Sequence, residues 1–364
     1  MSMSARRIVV VGGYGHVGRL VCRRILDRGL GQVIVAGRNK AAAESVAHTL
    51  ANGAMTAFID ARTGDGAAEL LDAGSVVVNC SIDQRDPALL RAAIAAGCGY
   101  ADIGADPAAI SAMLDLQPLA WASGTRALVG VGLSPGATNV LARAACQCIG
   151  SPALLDVSLI LSMRDAFGRA AVEWLLEASS SPNAVERHGR RALVSAFDGS
   201  QIVKFPGIGT RPVYRFPLPE QFFFPETLGV KEANCWIGID PPIVGRVLSR
   251  AVRSPARRLL RGARTRSRLA GMIASFGTAG LSDTVRAPLA VVVTAGGPHG
   301  TALATLAAMG ESSTTATCAV LMIDRLVSGA TPAGVVLPEE AIDPGWFFDE
   351  LRCHGIDATV RPPV

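Results

Sequence analysis

The sequence has no pair of cysteines in CxxC spacing, few aromatic residues and no long uninterrupted apolar run. Each absence excludes a class of protein. The eight cysteines are scattered singly and the five histidines (His16, His48, His188, His299 and His354) keep no ligand spacing, so neither a disulfide framework nor a metal site is expected. The thiols read instead as reduced, mostly buried small hydrophobes. Charge or glycine breaks every apolar run before the ~20 residues that a bilayer-crossing helix needs, so no membrane span is expected. Met1 to Arg6 lead straight into an apolar strand, leaving no room for a secretory signal, and a cytoplasmic chain is expected. No aromatic-rich nucleic-acid motif occurs, and no nucleic-acid partner is expected.

What is present is a globular composition: 49% hydrophobic and 18% charged residues in a chain of 364, long enough for two domains. The stretch "VVVGGYGHVG" opens the first of them. Ile8 to Val11 form a branched-aliphatic run suited to a parallel strand covered on both faces, and Leu20 to Leu26 follow helical periodicity. Between them Gly13, Gly15 and Gly18 give the GxGxxG spacing: a tight turn, a backbone that a pyrophosphate can approach, and close packing of helix on strand. The phosphates belong at the helix N-terminus, where unpaired N–H groups and the helix dipole favour negative charge. Tyr14, His16 and Val17 complete this cofactor-binding loop.

The next strand, "QVIVAGRNK", selects the dinucleotide. An NAD site usually has a carboxylate there for the ribose 2′-hydroxyl; here Arg38 and Asn39 stand ready to neutralise and bond a 2′-phosphate. The expected cofactor is NADP(H), the alternative being that Arg38 and Lys40 simply start a solvated helix. "MTAFIDA" and "SVVVNCS" continue the alternation of strands with helices, which predicts a doubly wound sheet. Asp60 is placed beside the adenine as an acceptor or as a helix cap, and Asn79, Cys80 and Ser81 line the nicotinamide half at a strand's carboxyl end. Asp102, in "GYADIGAD", is the candidate catalytic carboxylate, to orient an amine or relay a proton, against a structural role bonded to backbone N–H groups. Tyr100 is read on the opposite strand face, in the core. Asp106, Ser134 and Asn139 are weaker candidates, since each can cap a helix, and Glu226, Lys231 and Glu232 read as a loop near an apolar wall of Phe222 to Phe224.

The succession "VVVGGYGHVG", "VAGRN", "FIDA", "VVVNCS", "LLRAAIAAGCGYADIGAD" and "VGVGLSPGATNVLA" resembles the saccharopine dehydrogenase family across residues 8 to 142, and "PAGVVLPEEAIDPGWFFDELRCHGI" resembles its closing segment. The resemblance implies a Rossmann-type doubly wound parallel sheet with an inserted second α+β domain. Residues 1–134 completed by 313–364 are expected to bind the dinucleotide, and 135–312 to form the substrate and dimerisation domain around an antiparallel or mixed sheet. It implies an NADP(H)-dependent oxidoreductase, with hydride transfer to or from a C=N or C–N bond of an amino-acid-like or imine substrate, in a homodimer. Reduction of an activated C=C or C=O bond, and a non-enzymatic NADP(H)-binding sensor, are the alternatives.

One segment fits none of this. Between Arg246 and Arg268 lie nine arginines and no acid, so that against a net charge of +5 the remainder of the chain carries −4. A helix would gather Arg246, Arg250, Arg253, Arg257, Arg261, Arg264 and Arg268 into one stripe, with a kink or restart at Pro255. A solvated face and a docking site for an anionic surface are the two readings.

Overall fold

A computed structural model describes residues 6–50, 54–81, 86–162, 169–179, 183–187, 190–254, 262, 264–269, 271 and 287–363. The chain runs β1 (Arg7–Val11), α1 (His16–Asp27), β2 (Gln32–Gly37), α2 (Lys40–Thr49), β3 (Met55–Phe58), α3 (Ala67–Leu70), β4 (Val76–Asn79), α4 (Ala88–Ala96), β5 (Gly99–Asp102), α5 (Pro107–Leu114), α6 (Gln117–Ser123) and β6 (Arg126–Val129). It continues through α7 (Ala137–Ile149), β7 (Leu154–Ser162), α8 (Arg169–Ala178), β8 (Asn183–Arg187), β9 (Arg190–Val194), β10 (Ser200–Phe205), β11 (Gly209–Arg215), α9 (Glu220–Thr227), β12 (Glu232–Asp240), α10 (Pro242–Arg253), β13 (Pro288–Gly297) and β14 (Gly300–Met309). It closes with α11 (Glu311–Val327), β15 (Gly334–Val336), α12 (Pro338–Ala341), α13 (Pro344–Cys353) and β16 (Asp357–Arg361).

Two compact units result: Met1–Ala137 with Thr315–Asp343, and Thr138–Thr314 with Pro344–Val364. In the first, seven parallel strands take the order β15-β6-β5-β4-β1-β2-β3. The order reverses between β1 and β4, which opens a crevice at their carboxyl ends. Covered on both faces, β1 and β4 bury Ile8 to Val11 and Val76 to Val78, as their unbroken aliphatic runs require. α1 meets the sheet through Val21, Cys22 and Ile25. After the second unit the chain returns in α11, where Arg24 Nε donates to Thr317 Oγ1 at 2.9 Å and Arg28 pairs with Asp324 at 2.7 Å. Val320, Leu321, Met322, Ile323 and Leu326 of this helix are buried. At roughly 1.5–3 kcal/mol per buried side chain they are comparable with the whole stability of a domain, so α11 is integral to the first unit.

The second unit holds a mixed sheet in the order β10-β11-β12-β7-β13-β14-β16, with the β8–β9 hairpin attached to β12. β7 and β12 run parallel, and the other pairs are antiparallel. One of its cores joins Ile160, Phe205, Val213, Trp236, Ala290 and Val292. All of 313–364 is expected in the nucleotide unit, but Pro344–Val364 belong to the second unit. β16 pairs with β14, Leu303 opposite Arg361 through Ala307 opposite Asp357, and so extends the second sheet. The alternation in "DATVR" specifies a strand without specifying its sheet; the open edge of β14 decides it.

Candidate functional site

The turn after β1 is built around missing side chains. Gly12 takes φ +76°, and its N–H donates to Ala36 O at 2.8 Å. A Cβ on Gly12 would stand 3.0 Å from the Cys80 carbonyl carbon, so the turn lies directly against the backbone that leaves β4. A Cβ on Gly13 would meet Val10 O at 2.9 Å and Cys22 Sγ at 3.0 Å. On Gly18 it would overlap Gly12 O and stand 2.9 Å from Gly13 Cα, which is why α1 can pack on the turn only through glycine. Gly15 differs: its one neighbour is Gly12 O at 3.1 Å, and its outer side is open. Gly15 is also the N-cap of α1 and supplies no side chain to cap it. The backbone N–H groups and dipole at a helix N-terminus favour an incoming anion. The residues present therefore fit a pyrophosphate. Burial pushes Cys22 beneath the turn up to about 12, and its thiol donates to Gly13 O at 3.8 Å.

At the end of β2, Tyr14 covers Gly37, whose φ is +154° and whose Cβ would lie 2.5 Å from the Tyr14 ring. The Tyr14 hydroxyl accepts from the Asn39 N–H at 3.4 Å. Arg38 is exposed. Asn39 caps α2, its Oδ1 accepting from Ala42 N at 3.1 Å, so its amide nitrogen is the donor left for a ligand. Asp60, which follows the neighbouring β3, caps no helix: its carboxylate closes a turn on Arg62, accepting from that residue's backbone N at 3.0 Å and from its Nη2 at 3.0 Å. The bonded Arg62 holds the Asp60 carboxyl below the usual range, and the charge of Arg38 adds to the effect. The Asp60 carboxylate is thus paired with Arg62 just after β3, the strand beside β2. Arg62 is not among the residues expected from the sequence, although an Asx turn in "DART" is the local signal for its pairing with Asp60.

At the ends of β4 and β5 lies a buried polar cluster. Asp102 Oδ2 accepts from Asn79 Nδ2 at 2.6 Å and from the Tyr100 hydroxyl at 2.7 Å, and Oδ1 accepts from Gly104 N at 2.6 Å. Asn79 Oδ1 in turn accepts from Ser81 N at 3.0 Å and Ser81 Oγ at 2.8 Å. Tyr100 therefore shares the face of Asp102, contrary to the sequence expectation, because residues two apart on a strand point the same way. Burial raises the Asp102 carboxyl above its ordinary value, with the bonds from Asn79, Tyr100 and Gly104 opposing it. Asp102 is 2% exposed, and its carboxylate accepts from three donors. Burial also raises the half-buried Cys80 thiol well above the usual range, which keeps it protonated.

Residues 8–128 match the family described as the saccharopine dehydrogenase NADP binding domain. The fold over nearly the whole chain is that of saccharopine dehydrogenase (L-Glu forming) from Saccharomyces cerevisiae, with a TM-score of 0.67 at 13% identity over 98% of this chain and 99% of that one. The first third of the chain thus matches a saccharopine dehydrogenase NADP binding domain, and the whole chain has a similar fold. Homospermidine synthase from Legionella pneumophila, solved in complex with NAD, shares the fold with a TM-score of 0.68 at 12% identity, covering 98% and 91% of the two chains. No curated protein matches in sequence.

The fold disperses the weaker candidates. Asp106 caps α5 through Ala108 N at 2.9 Å. Ser134 precedes a cis proline in the first unit. In the second unit Asn139 is buried beside Thr138, whose hydroxyl donates to the buried Glu220 at 2.5 Å. Glu226 and Lys231 are exposed, and Glu232 accepts from Asn234 Nδ2 at 3.1 Å. Of the expected apolar wall, Phe224 is buried while Phe222 and Phe223 are half-buried.

Proposed function

We propose that the chain is an NADP(H)-dependent oxidoreductase that moves a hydride to or from a C=N or C–N bond of a small amino-acid-like or imine substrate, as a homodimer. The observation that carries the cofactor assignment is the end of β2: Arg38 and Asn39 stand where a carboxylate would serve NAD, and Arg62, bonded to Asp60, follows the adjacent β3. NAD in the homospermidine synthase complex leaves this to the chain's own residues. The C–N assignment follows the likeness to saccharopine dehydrogenase and homospermidine synthase.

When bound, the nicotinamide supplies or accepts the hydride. In this reading the uncapped first turn of α1 holds the pyrophosphate, and Arg38, Arg62 and the Asn39 amide hold the 2′-phosphate. Asn79, Cys80 and Ser81 line the nicotinamide half, with Asp102 fixing the rotamer of Asn79.

Fluorescence titration tests the cofactor assignment. NADPH is expected to bind much more tightly than NADH, and equal affinities would overturn the assignment. Arg38→Ala should weaken NADPH by about 1.5–3 kcal/mol, the worth of a hydrogen bond to a charged group, while leaving NADH nearly unchanged. Arg62→Ala should act in the same direction and less strongly, because Arg62 divides its donors between the phosphate and Asp60. Turnover of paired amines and 2-oxo acids with NADPH tests the bond type.

A further inference from the structure

The arginine-rich segment begins on a helix whose outer face is described. α10 buries Gly245, Ser249 and Val252. It packs so closely that a Cβ on Gly245 would stand 2.8 Å from the Tyr214 ring. Its opposite face presents Ile243, Arg246, Val247 and Arg250, spaced by three and four residues and so aligned in one stripe. Ile243 and Val247 are each 56% exposed, a high value for aliphatic side chains on a helix whose other face is packed. Neither Arg246 nor Arg250 makes an ion pair among the described residues, whereas Arg266 pairs with Glu177 at 3.6 Å. Further along, Arg264 and Arg268 are exposed on the helical stretch 264–269.

A solvated face has no need of aliphatic residues one turn apart between its charges. Folded nucleic acid is a poor fit, since no aromatic residue stands between Trp236 and Phe276 to stack on a base. Lipid suits both components: anionic headgroups pair with the guanidinium groups, and Ile243 and Val247 enter the boundary between headgroups and acyl chains. We propose that the exposed stripe of α10 docks the protein reversibly on a bilayer surface rich in anionic phospholipid. Two aliphatic side chains insert only shallowly, so the attraction is chiefly electrostatic and weakens with salt. The protein lies on the surface; among the described residues no helix is long and apolar enough to cross a membrane. The inference is independent of the substrate and the cofactor.

Flotation of the full chain with vesicles tests it. The protein should float with phosphatidylcholine vesicles containing phosphatidylserine, stay behind with phosphatidylcholine alone, and be released by high salt. Arg246→Gln/Arg250→Gln should lower the partition coefficient about thirtyfold, at about fivefold per arginine from ~1 kcal/mol each. Arg246→Lys/Arg250→Lys should retain binding, and Ile243→Ser/Val247→Ser should weaken it. Unchanged thermal melting and NADPH titration would show that these surface variants remain folded. Equal flotation with both vesicles, no flotation with either, or full binding by the glutamine variant would overturn the proposal. So would tighter binding to duplex DNA or to polyglutamate than to the acidic vesicles.

Discussion

Gly15→Val should abolish NADPH binding with little loss of stability, and Gly18→Val should remove both. The contrast follows from where the added side chain goes. Gly15 has φ −71° and ψ 172°, which any residue can adopt, and the one atom near its Cβ is Gly12 O at 3.1 Å. A valine there needs only a small shift, and its methyl groups fill the open side at the first turn of α1. At Gly18 the added carbon overlaps Gly12 O, and the turn has little freedom to yield. Gly12 N is bonded to Ala36 O at 2.8 Å, and Gly15 N to Gly12 O at 2.9 Å. Overpacking of this kind costs about 1–3 kcal/mol or more, in addition to the lost site. Urea denaturation and NADPH titration of both variants check the pair. A Gly15→Val protein that binds NADPH normally would move the phosphate site elsewhere.

Asp102→Ala should destabilise the protein by about 3–6 kcal/mol, because three buried donors, from Asn79, Tyr100 and Gly104, lose their acceptor at about 1–3 kcal/mol each with partial replacement by water. Asp102→Asn keeps an acceptor for Gly104 but sets one amide nitrogen against that of Asn79, and should cost about 1–3 kcal/mol. The pH dependence has a defined sign. The folded carboxyl is raised above its unfolded value, so the native state holds the proton more tightly. Its contribution to stability is fully present below the unfolded pKa of about 3.9 and is lost as pH rises through the raised folded value, by up to about 1.4 kcal/mol per pH unit inside that window. Denaturation midpoints taken across the window should slope downward for the native protein, with this component absent in Asp102→Asn. Identical slopes would show that the carboxyl titrates as an ordinary one.

What could be read from the sequence was whatever depends on local sterics. The glycines of the first turn declare themselves because no other residue fits, and the aliphatic run before them requires a strand covered on both faces. The position of Arg38 at the end of β2 was legible from the apolar strand that precedes it. Gly12 was not, since the spacing pattern begins one residue later, yet it is the glycine whose positive φ makes the turn. The face of Tyr100 was legible from strand parity, which places it beside Asp102 rather than opposite it. Two placements lay beyond local pattern: the bond from Tyr14 to Asn39, which joins two loops, and the choice of β14 as the partner of β16, which depends on which edge the fold leaves open.

The first sheet also orders events in time. β6 has β5 on one side, and on the other it waits for β15, which pairs Gly334 with Arg126. Arg126 Nε donates to Thr331 O, 205 residues further along the chain. At 5–20 residues per second a ribosome needs roughly 10–40 s to cover that distance. Throughout that interval the strand "RALV", whose Ala127, Leu128 and Val129 end up buried, presents a bare apolar edge, the kind that recruits other strands. The nascent protein is therefore most exposed to misassembly and to chaperone capture between the emergence of β6 and that of β15. The nucleotide-binding unit is thus started before the second unit's strands are made and finished only after β14 has followed them.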